Sequence, residues 1–145
     1  MTADCTVEDI KKQFRRQDAV GSMLVRKFSF AYIEAKIKLF KSYCYPIYGC
    51  ALWCHSLQNS IIKLTVSYSD TFKRLINVPR YTSSSLAFTM NATDHINVVL
   101  SKFDYSLMSR AVASPTVLLI VTAIVNNDAY HQSPLMDKWE SMLYV

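Results

Sequence analysis

The sequence predicts an all-α protein, a helical bundle, and three observations predict it. Glycine and proline are scarce, at 2 and 4 in 145 residues, too few for an all-β architecture with its many tight turns. Apolar residues recur every three to four positions in successive windows, which is the period of one helix face. Capping residues and prolines punctuate those windows where helices should begin and end. A chain of this length buries roughly two-thirds of its unfolded surface, and a hydrophobic fraction of 51% supplies the core.

The first helix is expected to start at Thr6, as a cap, with Glu8 and Asp9 in an acidic first turn. Val7, Ile10, Phe14, Gln17, Gly21, Leu24 and Phe28 form its inward seam. Lys12, Arg15, Arg16, Arg26 and Lys27 fall on the opposite side, a purely cationic back. Ser29 is the expected cap of the second helix, with Ile33, Ile37, Phe40, Cys44 and Ile47 inward and Lys38 and Lys41 flanking. Pro46 removes a backbone donor and should kink or restart that helix. The apolar run 47–53 after it reads as a buried helix, and Gly49 falls inside it. A helical glycine such as Gly21 or Gly49 costs about 1 kcal/mol against alanine. The stretch 31–55 as a whole is expected to be the central element around which the others pack.

Residues 56–60 read as a turn. A third helix should run over 61–76, with Ile61, Leu64, Tyr68, Phe72 and Leu75 inward, and stop before Pro79. The serine-rich turn 82–85 can cap a short helix over 86–90. Asp94 is the expected cap of a further helix with Ile96, Val99, Phe103, Leu107 and Met108 inward. Ser114-Pro115 is a helix start signal, followed by a buried helix over 117–125. A last amphipathic helix, 134–143, places Leu135, Trp139 and Met142 on one face. These elements group into a three-helix unit over 7–77 and a smaller helical part over 78–145.

Charge is uneven. Residues 1–80 carry 13 basic and 6 acidic side chains, a balance of +7, against 3 and 5 in residues 81–145, a balance of −2. A basic half suits a polyanion such as nucleic acid, although a solvated helix face accounts for the same charge. The segment 1–10 is polar and acidic, unlike a secretory leader. With no such leader, Cys5, Cys44, Cys50 and Cys54 read as small hydrophobes in a reduced, intracellular compartment, cytoplasm or nucleus. The stretch 111–125 is too short to span a bilayer and contains Pro115, so no membrane helix is expected.

Catalytic chemistry finds little support. Cys50-x3-Cys54-His55, with Cys44 nearby, offers thiolate and imidazole, but a structural zinc site needs a second ligand pair that His95 and His131 do not make. Packing is the better reading, and no metal or other cofactor is expected. G-x-S-x-G, phosphate-loop and HExxH patterns are missing. Two-metal phosphoryl transfer needs clustered carboxylates, and Glu8-Asp9 is the only adjacent acidic pair.

Five stretches together resemble one family. VEDIKKQFRRQ (7–17), SMLVRKFSF (22–30), IKLFKSYCYPIYGCALW (37–53), LTVSYSDTFKRLINVPRYTSSSLAF (64–88) and LMDKWESMLYV (135–145) look like the region after the catalytic palm in reverse transcriptases of animal non-LTR (LINE-type) retrotransposons. Order and gaps both fit, over nearly the whole chain. The family pattern has an asparagine after the tyrosine of the third helix and an arginine further on; Ser69 and Lys73 stand there in this chain. The resemblance implies an α-helical thumb that grips a template–primer duplex by its sugar–phosphate backbone. It implies that Lys12, Arg15, Arg16, Arg26 and Lys27 belong to a nucleic-acid-facing helix. By spacing, Lys11, Lys12, Arg15, Arg16, Arg26 and Lys27, then Lys36, Lys38 and Lys41, line one surface where the first two helices pack antiparallel. The family's catalytic aspartates are expected upstream of this chain, so it should not polymerise by itself. Two alternatives stay open: a helical module that meets a protein partner or itself through exposed apolar surface, and a retrotransposon relic without selected function.

Overall fold

A computed structural model of the protein describes residues 3–47, 49–50, 53, 58–116 and 119. It is all-helical: among the described residues there are five helices and no strand. They are α1 (Ala3–Lys27), α2 (Ile33–Cys44), α3 (Gln58–Leu75), α4 (Ser84–Met90) and α5 (Ile96–Ala113). The expected helix over 134–143, most of 117–125, and Cys54 and His55 lie outside the described residues.

α1 begins at Ala3, one turn before the expected cap at Thr6. Its seam is buried at Ile10, Gln17, Gly21 and Leu24, while Phe14 remains 38% exposed at the edge. α2 starts at Ile33 after Tyr32, not at Ser29, because residues 28–31 turn back on themselves through an Ala31 N–H to Phe28 carbonyl bond of 3.1 Å. Tyr32 supplies no side-chain cap, and Ile33, in the first turn, is half exposed rather than inward. α2 stops at Cys44, two residues before Pro46, as a missing N–H and a ring clash require. Gly49 is not helical: its φ of +77° is a left-handed conformation that glycine adopts without a Cβ penalty. Ile47, Cys50 and Trp53 are nonetheless buried, as their apolar character predicts.

α3 starts one turn earlier than its apolar period suggests, at Gln58. It closes with a Schellman arrangement. Asn77 takes φ +57°, its N–H bonds the Arg74 carbonyl, and the Val78 N–H bonds the Lys73 carbonyl at 2.9 Å. Pro79 follows directly. α4 ends the same way with Ala92 at φ +47° and the Thr93 N–H on the Phe88 carbonyl at 3.0 Å.

Packing puts α3, rather than the stretch 31–55, at the centre: it touches α1, α2, α4 and α5. Its long neighbour is α1, which runs parallel to it, with Phe14 sharing a groove with Ile62 and, further along both helices, Gly21 against Thr71. α2 folds back antiparallel to α1, so that Cys44 at its end meets Gln17 and Pro46 just beyond meets Arg16. One core runs from Ile10 through Leu24, Phe40, Leu64, Tyr68 and Phe72 to Phe88 and Ile96. Phe40, Tyr68, Phe72 and Phe88 form an aromatic cluster with ring centroids 4.7–5.6 Å apart, a range in which offset and edge contacts are favourable.

Candidate nucleic-acid interface

An α-helix turns about 100° per residue, so residues at positions 12, 15 and 26 of α1 lie opposite positions 10, 17, 21 and 24. Since the second set is buried against the bundle, the first set faces solvent. Lys12, Arg15, Arg26 and Lys27 are exposed on α1, and Lys38 is exposed on α2 opposite buried Phe40. None of these five makes a hydrogen bond or ion pair among the described residues. Lys12 and Arg15 reach only the weak field of Glu8. Lys12 and Lys27 are about 22 Å apart along the axis at 1.5 Å per residue. Exposed Ala19 lies between the two cationic ends, small enough to let a polyanion approach the helix closely.

The other two predicted residues, Arg16 and Lys41, make hydrogen bonds within the fold. Arg16 donates from Nη1 to the Pro46 carbonyl, fastening α1 to the segment after α2. Lys41 donates from Nζ to the Ala92 carbonyl at 2.8 Å, fastening α2 to the turn between α4 and α5. Lys36, expected on the same surface, is buried on the inner face of α2. Lys11 pairs with Glu8 at 2.8 Å, a bond that holds the Glu8 carboxyl below its ordinary value. Four cations expected on this surface, Lys11, Arg16, Lys36 and Lys41, are thus buried or bonded within the fold.

Sequence reading missed two side chains beside this surface. Phe30 and Tyr32, in the turn after Lys27, are almost fully exposed. The signal was available: both fall outside the apolar period of α1 and α2.

Ser69 and Lys73, the two departures from the family pattern, are both buried on α3. Lys73 donates to the Arg80 carbonyl at 3.2 Å, and Arg80 pairs with Asp70 at 2.9 Å. These groups line a cavity of about 260 Å³ with Arg74 and Val78. Their bonds lie within the fold, so Lys73 is a structural cation.

No group of three metal-ligating side chains occurs among the described residues. Cys44 is a buried free thiol, which burial pushes up to about 12; a thiol so protonated behaves as a small hydrophobe. No described helix is long and apolar enough to cross a membrane. No family model matches the chain, and neither a curated protein nor a solved structure does. The likeness to non-LTR reverse transcriptases is therefore carried by the sequence motifs alone.

Proposed function

We propose that this chain is a thumb-like part of a non-LTR retrotransposon reverse transcriptase, which binds the backbone of a nucleic-acid duplex along the solvent face of α1. The observation that carries the reading is the row Lys12, Arg15, Arg26 and Lys27, exposed and making no hydrogen bond or ion pair among the described residues, with Lys38 beside it. Cations left unpaired in this way are available to phosphates. They offer no base-reading geometry, so affinity should be sequence-independent. The chain has no polymerase chemistry of its own in this reading, and its place is inside the cell, in cytoplasm or nucleus.

Binding of an RNA–DNA primer–template duplex across a salt series tests it. Four phosphates engaged by α1 give a log–log slope of about −3 to −4. Lys12→Gln or Arg15→Gln should each weaken binding equally for unrelated sequences and reduce the slope by about 1. Absence of binding at low salt would sink the proposal.

A second reading, self-association through an exposed apolar surface, is favoured by one specific observation. Phe14, Ile62 and Val66 are 38%, 49% and 49% exposed and share a single groove between α1 and α3.

A further inference from the structure

The α1–α3 groove has a volume of about 370 Å³ and is lined by Phe14 and Asp18 of α1 and by Ile62, Lys63, Val66, Ser67 and Asp70 of α3. On α3, Lys63, Val66, Ser67 and Asp70 follow the spacing i, i+3, i+4, i+7, so they form one strip along one face. The strip has a cation at one end, a carboxylate at the other, and an apolar middle flanked by Ile62. Lys63 and Asp70 stand two helical turns apart, roughly 10 Å, and both are equally far from the midpoint between Val66 and Ser67.

Such a strip is its own complement. Laid antiparallel on a second copy about a two-fold axis at that midpoint, Lys63 meets Asp70 of the other molecule, and Asp70 meets its Lys63. Val66 meets Ser67 at the axis, with Ile62 and Phe14 of each copy closing over the sides. Isologous contacts of this kind are the commonest route to dimers, since every favourable pair occurs twice.

We propose that this strip of α3 is the docking surface for a second copy of the chain, in this antiparallel register. The proposal deepens the self-association reading and is independent of duplex binding, which uses other residues. Lys63 is exposed and makes no ion pair among the described residues, so its charge is available. Asp70 already holds Arg80, but a carboxylate has two oxygens and accepts several donors. The positive charge of each copy opposes association at long range and is screened beyond roughly 8–10 Å at physiological salt. The surface is small, so the dimer is weak and concentration-dependent.

Sedimentation of the full chain and its charge variants tests this. Wild type is expected to shift from monomer to dimer with rising concentration. Lys63→Glu alone places a second carboxylate against Asp70, and Asp70→Lys alone places two lysines together; each should raise the dimer Kd roughly tenfold or more. Mixed in equal amounts, the two variants regain both opposite-charge pairs and should dimerise again. Circular dichroism checks that each variant is folded. If Asp70→Lys is not, Val66→Asp at this exposed position gives the second measurement: dimer loss with helicity intact supports the strip, and an unchanged dimer overturns it. A wild type that stays monomeric overturns both the strip and self-association. A dimer that persists in Lys63→Glu, or a folded mixture that stays monomeric, overturns the strip while leaving self-association through another face.

Discussion

Asp94 and His95 divide the start of α5 between them in a way their types alone do not dictate. Aspartate is the stronger N-cap residue, which makes Asp94 the natural choice from sequence. In the fold its carboxylate is taken by Lys102 at 2.6 Å, its N–H donates to the Tyr45 hydroxyl at 2.8 Å, and its carbonyl accepts from the Tyr68 hydroxyl at 2.9 Å. Asp94 is thus a knot tying α5 to α3 and to the end of α2, and the cap passes to His95, whose Nδ1 accepts from the Asn97 N–H at 3.3 Å. Only a neutral ring can accept there. Burial against Phe88 also holds the His95 ring below its ordinary value of 6.5. In acid the unfolded chain therefore takes up this proton more readily than the fold does. The contribution is complete above about pH 6.5 and is lost as pH falls below it. His95→Asn keeps a good capping acceptor without a titrating ring. Its Tm should fall less between pH 7.5 and 5.5 than that of wild type, by an amount matching a cap of about 1 kcal/mol. Parallel Tm curves would refute the assignment. Sequence could not reveal this exchange, because Tyr45, Tyr68 and Lys102 reach Asp94 only through the tertiary fold. The same holds for Arg16 and Lys41 in the candidate interface. Their charge was legible, but the carbonyls that claim them, Pro46 and Ala92, are distant in sequence. Lys12, Arg15, Arg26, Lys27 and Lys38, on the outer faces of their helices, could be placed by spacing alone.

Helices with a strong apolar period were readable: Ile10, Gln17, Gly21 and Leu24 of the α1 seam are buried, and so are Leu64, Tyr68, Phe72 and Leu75 of the α3 seam, joined there by the polar Ser69, Thr71 and Lys73 that an apolar period does not mark. The stops before Pro46 and Pro79 fall where the chemistry of proline puts them. Helix starts were less readable: α1 and α3 each begin about a turn before the start that their capping and apolar pattern suggest, at Ala3 rather than Thr6 and at Gln58 rather than Ile61. Centrality was misjudged. The stretch 31–55 was expected at the middle of the bundle, yet α3 holds that place, with Tyr68 and Phe72 on one side and a close approach to α1 on another. Gly21 shows why. A Cβ there would stand 2.5 Å from Thr71 Cγ2 and 2.7 Å from its Oγ1, so the glycine sets how closely α1 and α3 can lie. Thr71 is fully buried, and a close-packed interior leaves its branches little room to give way. Gly21→Ala gains about 1 kcal/mol of helix propensity but incurs overpacking of typically 1–3 kcal/mol. Net destabilisation is expected in urea unfolding. In a Thr71→Ala background the two clashing atoms are gone, and the same substitution should be near neutral. The double-mutant cycle should return a coupling of about 0.5–3 kcal/mol; additive effects would mean that α1 and α3 can slide apart without cost.

The molecule as a whole behaves, on this packing, as one cooperative core from Ile10 to Ile96. Cys44 is suited to report on it. It is 1% exposed and set beside Gln17 of α1 and Tyr68 of α3, so it is uncovered only when three helices separate. Burial raises its thiol from 9.0 to about 12, and burial likewise raises the Tyr45 and Tyr68 hydroxyls above 10.0. Each of these groups gives up its proton more easily in the unfolded chain. Their joint contribution to stability is whole below about pH 9 and drains away as pH climbs toward 12. Stability should therefore decline on the alkaline side, from about pH 9 upward. Alkylation of Cys44, followed peptide by peptide in a mass spectrometer, should be very slow in native buffer. With rising urea it should accelerate through the same midpoint as the loss of helical circular dichroism, as required when labelling needs global opening. Rapid native labelling of Cys44, or a labelling midpoint well below that of the helices, would show that α2 opens by itself and that the core is not a single unit.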